Sequence, residues 1–302
     1  MEHDAKLARL VIGLRGLGLL RQWPFGDAAE ADAELRTIAD MMDHRDDLPL
    51  GEVFHFDSLD IADGYIAWSE TYDELANPLV DVEQRALDPI LFDIEPGDAL
   101  DVACGTGRVA AILSALGHRV VGVDPSEAML DRARAKGLDA TFRPGSFDAL
   151  PVEDASFDLV TCALALTHVT DLGQPFREFA RVLRQGGLLV TTDVHPIATC
   201  LGGQALFRRP DGSRAATTNH QHWVSDYVRA ITAAGLHIEG CVEPMVDEGY
   251  KVGLRSEDVR MAADVSLTGL PLVLIWVLRR GEESVDDVVG ERRSDEQAGG
   301  AR

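Results

Sequence analysis

The stretch "ALDVACGTGRVAAIL", residues 99 to 113, runs from apolar residues into an acid, Asp101, then through Gly105 and Gly107 into an alanine-rich helical pattern. A glycine turn between a strand and a helix lets a ligand approach the backbone at the helix N-terminus. Gly105-Thr106-Gly107-Arg108-Val109-Ala110 fits G-x-G-x-x-A, and Asp124 ends the next apolar run, where a ribose-binding acid belongs in a dinucleotide site. Asp101 argues against a diphosphate, because its carboxylate stands just before the glycines and attracts a cation instead. A ligand that joins a ribose to an ammonium and a sulfonium suits these charges better.

Histidines supply the candidate proton acceptors, since imidazole titrates near neutral pH. His168, in "ALALTHVTD", and His195, in "LLVTTDVHP", each follow an apolar run, and Asp193 is placed to orient the His195 imidazole. His220 and His222 lie in "NHQHW" with Trp223. Their H-x-H spacing could supply two metal ligands, but Asn219 and Trp223 suit a hydrogen-bonded segment as readily, and no metal site is assigned. The plainer reading of His168 is a loop packing residue.

The elements that must hold these groups are legible in the pattern. The chain has 302 residues, 46% of them hydrophobic, which is enough for a sizeable core. Twenty-eight Lys and Arg against 51 Asp and Glu give a net charge of −23, so a nucleic-acid partner is not expected. Cys104, Cys162, Cys200 and Cys241 are scattered without a C-x-x-C pair, and no secretory pattern opens the chain. Both features point to reduced thiols in a cytoplasmic protein. The longest apolar stretches, 188–190 and 270–278, are too short to span a bilayer, so no membrane insertion is expected.

Helical spacing marks residues 4–20, 27–46 and two segments between Ile61 and Asp93. The first, despite Gly13, Gly16 and Gly18, is read as a helix that packs on the domain, pairs with a second copy or lies on a membrane surface. After Gly97 the pattern turns to short apolar runs alternating with helical ones, as in a parallel sheet with crossover helices. Strands are expected near 98–103, 119–123, 139–142, 157–163, 187–193, 237–243 and 271–279. Helices are expected near 107–116, 126–136, 174–184, 223–234 and 256–265. This divides the chain into an N-terminal helical extension (1–60), a main domain (61–280, with 61–95 as cap helices) and a disordered acidic tail (281–302).

The combination "LDVACGTGRVAAIL…GHRVVGVDPSEAMLDRAR…GSFDALPVEDASFDLVTC" resembles the class I S-adenosylmethionine (SAM)-dependent methyltransferases, and is similar to their small-molecule group that includes ubiquinone and menaquinone biosynthesis enzymes. The similarity runs from about Trp68 to Arg279. It implies an α/β, Rossmann-like sheet of seven strands with an antiparallel last hairpin, behind an N-terminal helical cap. It also implies SAM as cofactor. Asp101 and the backbone of Gly105 would hold the methionine end, Gly107 would give the close backbone approach, and Asp124 would take both ribose hydroxyls. Ala103, Pro125 and Cys162 are assigned to the same pocket, with Ala128 and Met129 near the adenine. Where this group often has an acid after a glycine, the chain has Gly145-Ser146-Phe147-Asp148, so Ser146, the Phe147 backbone or Asp148 would contact the adenine. Trp68 and Tyr72 fall where related enzymes close a helical lid.

Methyl transfer is an in-line displacement that needs alignment, and for a hydroxyl acceptor also a base. The reading is therefore a SAM-dependent methyltransferase of a small molecule, O-transfer favoured over C or N. His195, His168 and Asp193 are its catalytic candidates, and His220, His222 and Trp223 its acceptor-side residues. A homodimer through the N-terminal helices is possible. The rival readings are an NAD-type oxidoreductase and a SAM-binding module without chemistry.

Overall fold

The computed structural model describes residues 2–74, 77–248, 250 and 256–281. The tail expected over 281–302 lies outside them, except for Gly281. The chain opens with β1 (Glu2–Lys6), α1 (Leu7–Gln22), α2 (Ala28–Asp43), β2 (Val53–Leu59), α3 (Ile61–Trp68) and α4 (Pro78–Phe92). Then follow β3 (Asp98–Val102), α5 (Arg108–Ala115), β4 (Arg119–Asp124), α6 (Glu127–Ala135), β5 (Ala140–Pro144), β6 (Phe157–Ala163), α7 (Gly173–Val182) and β7 (Leu183–Val194). The last elements are α8 (Pro196–Cys200), β8 (Ala205–Arg208), β9 (Arg214–Thr217), α9 (Val224–Ala233), β10 (Leu236–Val242), α10 (Glu257–Leu267) and β11 (Val273–Arg280).

Seven strands form one sheet in the order β10-β11-β7-β6-β3-β4-β5. The five from β7 to β5 are parallel, and β11 and β10 add antiparallel. Alternate side chains feed two cores, as the period of a strand requires. Leu100, Val160, Leu189 and Leu274 meet Phe176, Phe179 and Ile231 of α7 and α9 on one face. Ala99, Leu159, Val190 and Ile275 meet Leu87, Leu91 and Leu113 of α4 and α5 on the other. This is the Rossmann-like sheet with an antiparallel last hairpin, and it brings the C-terminal ends of β3, β4, β6 and β7 to one edge.

The first 60 residues are only partly helical. β1 and β2 pair antiparallel, β2 pairs parallel with β9, and β9 pairs antiparallel with β8, giving a second sheet of four strands. Residues 4–6, expected as the start of a helix, end β1 because Asp4 to Lys6 pair with Val53 to His55. Of the three fates open to the first helix, α1 packs on the body. Leu7, Ala8 and Val11 are buried with Val259 and Ala262 of α10. A Cβ at Gly18 would meet Val265 at 3.1 Å, so the glycine that weakens α1 lets it lie close to α10. No helix among the described residues is long and apolar enough to cross a membrane.

Candidate active site

The glycine turn leaves β3 through Ala103, a non-glycine residue at φ +54°, and enters α5 after Gly107 at φ +82°. Leu164, at the end of β6, also has a positive φ of +53°. Such backbone costs about 1–3 kcal/mol per residue and persists where surroundings over-determine it. Here both residues sit at C-terminal strand ends beside the crevice. Leu164 N donates to the carbonyl of Thr192 at 2.9 Å, which fixes it.

The two glycines divide the work differently from expectation. A Cβ on Gly105, at φ +52°, would meet nothing within 4 Å. A Cβ on Gly107 would meet Ala133, Phe142 and Leu138 at 3.3–3.4 Å. Gly105 is therefore the glycine that faces open space, and Gly107 serves the turn and the packing of α5 against α6 and β5.

Asp124, at the end of β4, is buried and clasps the turn. Its Oδ2 accepts from Gly105 N at 2.8 Å and its Oδ1 from Ser126 N at 2.8 Å. Burial raises its pKa from the ordinary value, against those two hydrogen bonds. Asp101 lies beneath the turn, 1% exposed, with Oδ2 accepting from Ala110 N at 3.0 Å and Oδ1 from Thr161 Oγ1 at 2.8 Å. Burial pushes its carboxyl up to about 7. Asp101 thus ties α5 to β6.

The other residues expected in the pocket differ in burial. Met129 and Cys162 are fully buried in the core. Gly145 N donates to the carbonyl of Asp124 at 3.2 Å, which brings half-buried Ser146 and Phe147 beside that carboxylate. Asp148 and Pro125 are exposed. Trp68 and Tyr72 pack against each other, with ring centroids 4.9 Å apart. Trp68 stacks on Phe207 of β8, 4.9 Å apart and 9° between planes, so the second sheet supports the pair.

Two histidine environments differ sharply. His195 is buried, and its Nδ1 accepts from Ile197 N at 3.1 Å as the N-cap of α8. Its Nε2 then carries the proton and donates to Glu243 Oε1 at 2.9 Å. Asp193 does not orient this ring. Its Oδ2 accepts from the Tyr227 hydroxyl at 2.5 Å and its Oδ1 from Val194 N at 2.8 Å. Both nitrogens of His195 are spent on structure.

His168 is half-buried, with Nδ1 3.2 Å from the Thr218 carbonyl and Nε2 2.7 Å from the Tyr65 hydroxyl. Burial lowers its pKa from the ordinary value. His220 N donates to the carbonyl of Thr167 at 2.7 Å, which brings that segment to the end of β6. His222 is buried and donates from Nε2 to the Val169 carbonyl at 2.7 Å, and Trp223 is half exposed at the start of α9. Among the described residues no group of three His, Cys, Asp or Glu side chains could hold a metal ion.

Sequence reading missed Glu83. It is fully buried on α4, accepts from Thr192 Oγ1 at 2.5 Å and pairs with Arg108 at 2.6 Å, so it joins α4 to β7 and α5. Nothing in an amphipathic helix distinguishes it from the solvated acids nearby. Tyr65 was missed for the same reason.

A parallel sheet with an antiparallel last hairpin, a glycine turn after its central strand and an acid after the next are the features on which the resemblance to class I SAM-dependent methyltransferases rests. Residues 100–191 match the methyltransferase domain family. The demethylmenaquinone methyltransferase of Deinococcus radiodurans is 44% identical over 119 residues, 37% of this chain and 49% of that protein. The malonyl-[acyl-carrier protein] O-methyltransferase of Erwinia pyrifoliae is 36% identical over 114 residues, 37% of this chain and 44% of that protein. The chain therefore spans about half the length of these relatives. Among solved structures, the DhpI–SAH complex matches with a TM-score of 0.53 and 26% identity, over 74% of this chain and 96% of that one. Over residues 100–191 the chain is thus similar in sequence to methyltransferase domains, and its sheet has the Rossmann-like fold of the DhpI–SAH complex.

Proposed function

We propose that the chain binds SAM and transfers its methyl group to a small-molecule acceptor, with a hydroxyl oxygen favoured over carbon or nitrogen. The carrying observation is Asp124 beside Gly105. Each Asp124 oxygen accepts one backbone N–H, which leaves each a lone pair for a ribose hydroxyl, and the space in front of Gly105 is open. The residues present therefore fit the ligand. SAM, when bound, supplies a methyl carbon activated by a sulfonium. The chain's part is to hold donor and acceptor in line and to remove a proton.

His168 is the base this reading favours. Its Nδ1 faces a carbonyl, which only accepts, so Nδ1 carries the hydrogen and Nε2 keeps its lone pair, directed at the Tyr65 hydroxyl. The preference for oxygen rests on that neutral imidazole, and an O-methyltransferase stands among the relatives. The four free cysteines support a cytoplasmic setting. A homodimer through the N-terminal helices would use the exposed Leu20, Trp23 and Phe25, since the remainder of α1 is packed on α10.

The test is incubation of the chain with methyl-labelled SAM and a metabolite extract, followed by mass spectrometry of labelled products. The reading expects a labelled methyl ether or ester together with S-adenosylhomocysteine (SAH). SAM binding without labelled product or SAH would instead indicate a binding module, and titration with NAD in place of SAM separates the oxidoreductase reading.

A further inference from the structure

We propose that Tyr65 receives the acceptor's proton and passes its own to His168, and that the acceptor is consequently an uncharged hydroxyl compound. This rests on the methyltransferase reading above. The pair is built from three separate parts of the chain. Gly64 seats α3 against β9, where a Cβ would meet the Thr217 methyl at 2.1 Å. That seat brings the Tyr65 hydroxyl 2.7 Å from His168 Nε2, with the rings edge to face at 81° and 5.3 Å. The Thr218 carbonyl, in the residue after β9, fixes the His168 tautomer from the other side.

The direction of the hydrogen bond follows from that tautomer. With the hydrogen on Nδ1, Nε2 can only accept, so Tyr65 donates. The phenol oxygen keeps its lone pairs, and among the described residues no other hydrogen bond is made to it. A hydroxyl compound in the crevice can donate to Tyr65 in turn.

Electrostatics then decide where the proton can rest. Burial holds the Tyr65 pKa well above the ordinary value, and Tyr72, Asp124 at the end of β4 and Asp193 at the end of β7 oppose a phenolate further. The groups facing His168 are Tyr65, the Thr218 carbonyl and His220. A stored phenolate is therefore disfavoured, and the imidazole 2.7 Å away is the group to which the proton passes, although burial and His220 lower its pKa in turn. As the acceptor oxygen bonds to the methyl carbon, the carbon–sulfur bond gives its electron pair to sulfur. The acceptor's proton passes to Tyr65 Oη, and Tyr65's own passes to His168 Nε2, from which water removes it.

The same charges select the acceptor. Asp124 and Asp193 lie at or near the ends of β4 and β7, and the nearby cation Arg108 is already paired with the buried Glu83 at 2.6 Å. A phosphate or carboxylate acceptor finds no free cation there among the residues named, whereas a neutral hydroxyl is tolerated. The half-buried rings of Tyr65, Trp68 and Tyr72 offer it an apolar wall.

The experiment compares the full chain with Tyr65→Phe and His168→Asn. SAH titration, transfer of label from methyl-labelled SAM to the extract, and ¹⁵N NMR of the His168 ring are recorded across pH. Tyr65→Phe should keep SAH affinity within about twofold and lose roughly 10²-fold or more in label transfer. It should also shift the Nε2 resonance and the midpoint of His168, and a His168→Asn chain should lose the limb of the rate that titrates with the His168 imidazole, below its ordinary value. Unchanged transfer in Tyr65→Phe, a His168 ring protonated at Nε2, or a product labelled on nitrogen, carbon or a carboxylate would each overturn the proposal. Failure of the wild-type chain to bind SAH is a different result, and it removes the methyltransferase reading itself.

Discussion

Asp193 and Tyr227 share a hydrogen bond of 2.5 Å in the core, 34 residues apart in sequence, where the last parallel strand meets α9. Burial pushes the Asp193 carboxyl up to about 7, against the Tyr227 hydroxyl and the backbone donors that oppose the rise. An unfolded Asp titrates near 3.9, so between about pH 4 and about pH 7 the folded chain holds a proton that the unfolded chain releases. Stability from this group is therefore lost as pH rises through that window and is constant above it. Asp101, also raised to about 7, acts in the same direction. Denaturant unfolding of Asp193→Asn against wild type should show the variant gaining in relative stability from about pH 4 to 7, then levelling. A pH-independent difference would contradict this assignment.

The two glycines of the turn should separate by experiment. Gly107→Ala puts a side chain at φ +82° against Ala133 and Phe142, and should lower the melting temperature by the cost of a left-handed residue, about 1–2 kcal/mol, plus crowding. Gly105→Ala carries strain at φ +52° but meets no protein atom, so its larger effect should be on SAH affinity. Thermal melts and calorimetry on both variants test this. Equal binding losses would mean that Gly107 also touches the ligand.

His195→Ala removes the N-cap of α8 and the partner of Glu243. It should cost about 0.5–2 kcal/mol of stability, the usual range for a lost cap, and leave label transfer nearly intact. A loss of turnover by roughly 10²-fold or more would return His195 to the role of base.

The central strands of the main sheet were legible because buried strands read as continuous apolar runs, and all seven expected ranges overlap the observed ones, including those of the more exposed edge strands β5 and β10. The turn after β3 was legible through Asp101, Gly105 and Asp124, since Asp124 does meet Gly105 and Asp101 does meet α5. The four-stranded second sheet was not. Its strands are short and only half apolar, and β2 finds β9 only across the whole intervening fold, as in the pairing of Phe56 with Arg214. No local pattern encodes such a pairing. The choice between His168 and His195 was equally invisible, because it depends on Tyr65 and Glu243, which lie 103 and 48 residues away from them. The spacing of Asp193 to His195 suggested a contact that the β7 geometry directs to Tyr227 instead.

The central claim is that the C-terminal edge of the sheet binds SAM through the carboxylate that also clasps the glycine turn. Calorimetric titration of SAH into the full chain and into Asp124→Ala tests it most directly. Ribose hydroxyls on a carboxylate are charge-assisted bonds of roughly 1.5–3 kcal/mol each. The variant should therefore bind SAH at least tenfold more weakly, a loss of about 1.4 kcal/mol or more. Gly105 N and Ser126 N also lose their acceptor in Asp124→Ala, so a thermal melt accompanies the titration to establish that the chain is still folded. A folded variant with wild-type SAH affinity, or a wild-type chain that gives no heat with SAH, would contradict the account.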